Sequence, residues 1–223
     1  ITFVVQKIRR KMITIHHFTF NGFQENTYLL YDETKECVII DPGCYSNTEQ
    51  QELVDFIEKE GLNPVKLLNT HCHIDHILGN NFVSKTFNIG LEMHEKDLPT
   101  LHATTEYGHL YGFTVDQSPE PTNFLNEGDI ISFGNSTLDI LFVPGHSPGH
   151  IVFVNHEQKF AINGDVLFYG SIGRTDLPGG DHQTLINSIK TKMFALPDDY
   201  IIYTGHGPST SIGFEKANNP FLQ

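Results

Sequence analysis

The sequence predicts an α/β fold in which helices lie outside two packed β-sheets. Three observations predict it. Short runs of β-branched and aromatic residues recur between stretches of helical period. No repeat, linker or break in composition divides the 223 residues. Four of the strand-like runs end in a turn that carries a His or an Asp, at the strand ends where open α/β sheets place their sites.

Residues 1–11 (ITFVVQKIRRK) stand outside this scheme. Their apolar run precedes their charges, the reverse of a signal peptide, and is too short for one. They are read as an N-terminal extension without a part in the chemistry, ahead of a single domain at 12–223. Runs at 13–20, 26–31 and 36–40 predict an antiparallel meander, with Asn21-Gly22 in the first gap. Ser46 and Glu49 form a capping box. The helix after it places Leu53, Phe56 and Ile57 on one side, and Gly61 closes it. Residues 65–69 read as a buried strand running directly into Thr70-His71. A short helix (77–86), a strand (89–93) and a polar stretch (95–127) are expected next. Strands at 138–143, 150–154 and 159–163, a helix at 182–194 and a strand at 200–203 complete the set.

Residues 70–76 (THCHIDH) hold three imidazoles, a thiol and a carboxylate. In an extended segment His71 and His73 face the same way. Asp75 is expected to continue that alternation, with His76 pointing elsewhere. One segment then serves two neighbouring cations. Cys72 alternates away and reads as a packed thiol. Three further turns have the same character: 144–150 (PGHSPGH) with His146, 163–165 (NGD) with Asp165, and 204–208 (TGHGP) with His206. Glycine lets each turn bend tightly and lets a ligand approach. The joint set His71, His73, Asp75, His76, His146, Asp165 and His206 reads as a metal site. His94, His102, His109, His156 and His182 read as surface residues, His16 and His17 as strand residues, and His150 as structural or as a support behind the ligands. Nitrogen-rich ligation with two carboxylates suits two zinc ions, and iron or manganese tolerate it.

Composition narrows the setting. A formal charge of −13 opposes binding to nucleic acid or to an anionic membrane surface. No apolar run approaches the ~20 residues of a membrane span. Three cysteines are too few and too odd a number for a disulfide framework, which predicts a reducing, cytoplasmic setting.

HCHIDH, PGHSPGH, NGD and TGHGP, in that order, resemble the metallo-β-lactamase superfamily along most of the chain from Met12. The strings at 170–181 (GSIGRTDLPGGD) and 213–222 (GFEKANNPFL) look like the short, single-domain glyoxalase II-like hydrolases. The resemblance implies an αββα sandwich of two packed mixed sheets flanked by helices, with the site at one edge. It assigns His71, His73 and His146 to a first metal, Asp75, His76 and His206 to a second, and Asp165 to both. Asp41 orients a ligand histidine by the same resemblance. The implied reaction is hydrolysis of an acyl thioester such as S-lactoylglutathione by a metal-bound hydroxide, with Asp75 and Asp165 at the reacting centre.

Substrate residues follow less closely. The family's substrate loop carries a cation and then an aromatic; here Arg174 matches the cation, but Thr175-Asp176 replaces the aromatic. The basic residues that full-length glyoxalase II enzymes carry on an appended helical domain have no counterpart before Gln223. Arg174 and Tyr169 are the candidate substrate contacts. Persulfide dioxygenases of the same fold carry a very similar Gly-Arg-Thr-Asp string. They hold one iron on two histidines and a carboxylate, here one of His71 and His73 with His146 and Asp165. Lactonases and β-lactamases share the ligands too, whereas acidity disfavours the superfamily's nucleases.

Overall fold

In this computed structural model residues 12–223 are described, and the predicted extension at 1–11 lies outside them. The chain opens with β1 (Thr14–Phe20), β2 (Glu25–Tyr31) and β3 (Glu36–Ile40), paired as the predicted antiparallel meander. Helix α1 (Asn47–Glu60) starts on its capping box: Ser46 Oγ accepts from Glu49 N, and the Glu49 carboxylate accepts from Ser46 N. Gly61 ends it at a left-handed φ of 64°. Next comes β4 (Asn63–Leu68), in which Pro64 is tolerated at a register shift against β3. The first half closes with α2 (Ile74–Ile77), α3 (Asn80–Phe87), β5 (Leu91–Met93), α4 (Leu98–Tyr107) and β6 (Asn123–Phe124).

The second half begins with β7 (Ile130–Phe133), β8 (Ser136–Phe142), β9 (Ile151–Asn155) and β10 (Phe160–Gly164). A small hairpin, β11 (Leu167–Phe168) and β12 (Ser171–Ile172), precedes α5 (His182–Thr191), β13 (Ile201–Thr204), β14 (Thr210–Ser211) and α6 (Ile212–Asn218). One sheet has the order β1-β2-β3-β4-β5-β6 and the other β14-β13-β10-β9-β8-β7, each mixing parallel and antiparallel pairs.

Alternation along the strands sorts the side chains into layers. In β2 and β3, Leu29 and Ile39 face Leu53 and Ile57 of α1 and Val83 of α3. Their neighbours Leu30, Val38 and Ile40 face the other way, onto Phe133, Ile140, Phe153 and Ile162 of the second sheet. On that sheet's outer face Val152, Val154, Ala161 and Ile202 meet Leu185 and Ile189 of α5. Three apolar layers between four layers of secondary structure make the αββα sandwich, with both sheets buried on two faces.

Three expectations change. The helix expected at 77–86 is two helices, the first beginning at Ile74 inside HCHIDH. The polar stretch 95–127, in which no element is expected, contains α4, whose first turn tolerates Pro99. Regular structure also continues past 203 into β14 and α6.

Candidate metal centre

The side chains predicted as ligands converge from the ends of four strands, β4, β8, β10 and β13. After β4 the chain stays extended only as far as His73 (φ −66°, ψ 153°), which caps α2. His71 and His73 therefore lie on one side, as alternation predicts, and Cys72 on the other. Cys72 N donates to Asp97 and its Sγ lies 3.5 Å from Met93 Sδ. Asp75 does not continue the alternation: it and His76 are successive residues of a helical turn. Their side chains nevertheless meet, His76 Nε2 lying 3.7 Å from Asp75 Oδ2. At β10 a register shift between Ile162 and Gly164 against β13, with Gly164 at φ 52°, re-aims the chain and delivers Asp165.

Potential ligand atoms group in two clusters, His71/His73/His146 and Asp75/His76/His206, in each of which they lie within 4.8 Å of one another. Asp165 stands between: Oδ1 is 3.4 Å from His76 Nε2, and Oδ2 is 3.6 Å from His146 Nε2 and 3.5 Å from His206 Nε2. Asp41, His71 and His76 are also close enough to share an ion. The Asp41 oxygens, however, already accept from Thr70 N and Thr70 Oγ1, at 2.7 and 2.6 Å. They meet the rear nitrogen of His76, Nδ1, at 3.2 Å. Asp41 thus orients His76 from behind. Glu25, fully buried, stands beside it, 3.7 Å from the same nitrogen.

The protons on the imidazoles test whether a cation fits. His146 Nδ1 donates to Arg174 O at 2.7 Å, so its Nε2 carries a lone pair. That lone pair faces His73 Nδ1 at 2.8 Å and His71 Nε2 at 3.2 Å. His206 Nδ1 likewise donates to Phe23 O at 3.1 Å, which turns its Nε2 toward Asp75 Oδ2 at 3.0 Å. His76 Nε2 and Asp165 Oδ1 are buried and have no hydrogen-bond partner among the described residues. Burial, reinforced by neighbouring imidazoles, holds His71 well below the usual imidazole range and His73 down to about 3. Burial opposes ionisation of Asp165, but His76, His146 and His206 outweigh it and keep the carboxyl low. Neutral nitrogens of His71, His73 and His146, with the imidazoles of His76 and His206 held beside anionic carboxylates, converge on shared points and make a donor set for divalent cations.

His150, fully buried, stacks on His71 at 4.7 Å and accepts from Asp165 N through Nε2 at 3.1 Å. Asp97, also fully buried, ties the two ligand loops together. Its carboxylate accepts from Cys72 N at 2.8 Å and Gly149 N at 2.6 Å, and from Ser147 Oγ. Neither Asp97 nor Glu25 stands out in the sequence, since each is a lone carboxylate among polar neighbours. His94, expected on the surface, is buried and stacks on Phe142 at 4.5 Å.

A cavity of about 1100 Å³ opens over the cluster, with His73, Asp75, His146, Asp165 and His206 in its floor. Phe23, Tyr107 and Tyr111 form one wall, and Phe168, Tyr169 and Ile172 the other. Arg174, a candidate substrate contact, lines the cavity, and Asp176 holds its guanidinium through two contacts of 2.7 Å.

The metallo-beta-lactamase superfamily model matches residues 20–206. The chain belongs to that superfamily. As a metallo-beta-lactamase-fold protein it is a metallo-hydrolase whose His and Asp clusters imply divalent metal. It is 43% identical over 203 residues to hydroxyacylglutathione hydrolase GloC of Haemophilus influenzae, covering 90% of this chain and 94% of that protein. Among solved structures it resembles the BLEG-1 B3 metallo-beta-lactamase, with a TM-score of 0.86 and 36% identity over 94% of this chain and all of that one. It also resembles TTHA1623 in a di-iron-bound form, with a TM-score of 0.84 and 35% identity over 93% of this chain and all of that one.

Proposed function

We propose that this protein is a dinuclear metallohydrolase that cleaves acyl thioesters of the hydroxyacylglutathione type. The observation that carries the reading is Asp165, whose carboxylate faces both clusters, Oδ1 toward His76 and Oδ2 toward both His146 and His206. His71, His73 and His146 would hold one cation, Asp75, His76 and His206 the other, and Asp165 both. When bound, such a pair lowers the pKa of a shared water and polarises the acyl carbonyl. Two zinc ions suit this donor set, and iron or manganese would serve it.

The chain's own groups do the rest. Asp75 and Asp165 lie in the cavity floor and stay anionic, so either could accept a proton there. His146 and His206 are locked in one tautomer by carbonyls behind them, which fixes where each lone pair points. The aromatic walls exclude water and take the organic part of a small-molecule thioester. Arg174 can meet a substrate carboxylate by exchanging Asp176, since an exposed pair of this kind is worth only ~0.2–1 kcal/mol. Ligands drawn from both sheets support a reading of residues 12–223 as one domain. Three free, buried cysteines suit a reducing cytoplasmic setting, and no helix among the described residues is long and apolar enough to cross a membrane.

Metal analysis of protein purified without added metal, paired with S-lactoylglutathione hydrolysis, tests the reading. About two ions per chain with turnover are expected. A single ferrous ion with oxygen uptake on a persulfide would overturn it in favour of the dioxygenase.

A further inference from the structure

The two strings at 170–181 and 213–222 meet around one buried carboxylate. Glu215 of α6 is fully buried and is held by neutral donors alone. It accepts from Gly170 N at 3.1 and 3.2 Å, from Asn219 Nδ2 at 2.7 Å, and from Thr210 Oγ1. Asn219, also fully buried, donates in turn to Ser171 O at 2.9 Å. The Phe214 ring stacks on Tyr169 with centroids 4.6 Å apart and planes at 16°. One face of α6 thus grips residues 169, 170 and 171, the tip of the β11–β12 hairpin.

That hairpin cannot hold itself. Its strands have two residues each, far short of what an isolated hairpin needs. In its two-residue turn only Gly170 has a positive φ, 65°, whereas the turns that match strand twist begin on a left-handed residue. Its two ends are fixed elsewhere: Asp165 lies in the cluster, and Arg174 O accepts from His146. Only the tip depends on α6. The tip carries Tyr169 and adjoins Phe168 of β11; both line the cavity, and Tyr169 is 57% exposed.

We infer that Glu215 and Asn219 are positioning residues for substrate selection, clamping the Phe168–Tyr169 wall so that it receives an apolar arm of the thioester. The inference rests on the proposed function for the word thioester and on the hydrogen bonds for the clamp. Loosening the tip should leave the metal ligands in place. It should lower the fraction of molecules with a formed wall, which weakens apparent affinity in proportion.

Two variants test it, Glu215→Gln, which removes one acceptor oxygen, and Phe214→Ala, which leaves the carboxylate intact. In both, hydrogen exchange should quicken in peptides covering 167–173 and stay unchanged over 70–77 and 144–150. Metal content and kcat on an S-acyl glutathione should stay within about twofold, while KM rises about five- to tenfold. Calorimetry with the thioether S-hexylglutathione should show the same loss of affinity, and it does not require turnover. Faster exchange at the tip with unchanged KM and thioether affinity would overturn the selection role. Lost metal or a fall in kcat matching the rise in KM would make Glu215 a support of the centre instead. Should Glu215→Gln fail to fold, Phe214→Ala decides alone. A parent that binds the thioether yet hydrolyses no thioester would sink the proposed function while leaving the clamp standing.

Discussion

At the scale of single residues, what matters is where each side chain keeps its proton or its charge. Asp165 is anionic and faces both clusters, whereas Cys72 turns its sulfur into the core beside Met93. Asp165→Ala should therefore lose most bound metal and at least ~100-fold in kcat, and Cys72→Ala should keep both within about twofold. Metal analysis beside steady-state kinetics reads the contrast; equal losses would sink it. Burial pushes the Cys37 thiol up to about 12 and Cys72 well above its ordinary value. A thiol reagent at neutral pH should accordingly label almost nothing before denaturation. At the cavity rim, Asp176→Asn should lower KM for an anionic thioester by up to about fivefold and Arg174→Ala should raise it. A neutral thioester should respond to neither. The candidate ligands were legible from sequence because His71, His73, Asp75 and His76 crowd together and the others sit in Gly-rich turns. Asp97 was not, since its partners at 72, 147 and 149 lie 25 to 52 positions away. Nothing in its own neighbourhood marks it as buried.

Elements set the aim of these residues, and here local pattern was a partial guide. The meander, the capping box and the strand before His71 were readable from alternation and caps alone. The start of α2 inside HCHIDH was not, because a four-residue helix shows no period. Helix α4 was hidden by weak amphipathicity, its buried residues being only Leu101 and Thr104. Helix α6 was hidden by its brevity and by a buried face that carries Glu215. The turn after β13 shows how closely an element is tailored to the centre. A Cβ at Gly205 would lie 2.1 Å from Asp165 Oδ1 and 2.8 Å from His76 Cε1. Gly205→Ala should displace both side chains and cut metal stoichiometry to about half or less. Gly22→Ala meets nothing within 4 Å and should change stability by less than ~0.5 kcal/mol. Native mass spectrometry of the pair distinguishes a crowded centre from a general intolerance of alanine.

For the whole molecule, the centre is a fastening between two sheets. His71, His73, Asp75 and His76 follow β4 of the first sheet, whereas His146, Asp165 and His206 follow strands of the second. Each cluster contains residues from both. Separating the sheets would pull apart both clusters and open the apolar layer of Leu30, Val38, Phe133 and Phe153. Ions held there bind the folded chain and not the unfolded one, so they stabilise it by mass action. At free metal a thousandfold above its Kd, each site contributes ~4 kcal/mol. For a chain of this size each kcal/mol moves Tm by roughly 2–4 °C. Chelation should therefore lower Tm by roughly 8–16 °C per site vacated, and restored metal should recover it. Scanning calorimetry at fixed ionic strength, with and without a chelator, makes the measurement. Asp165→Ala should start near the chelated value and respond little to chelator, having lost the residue that faces both clusters. A parent whose Tm ignores the chelator, although metal analysis shows the ions gone, would mean that the sheets hold together without the centre.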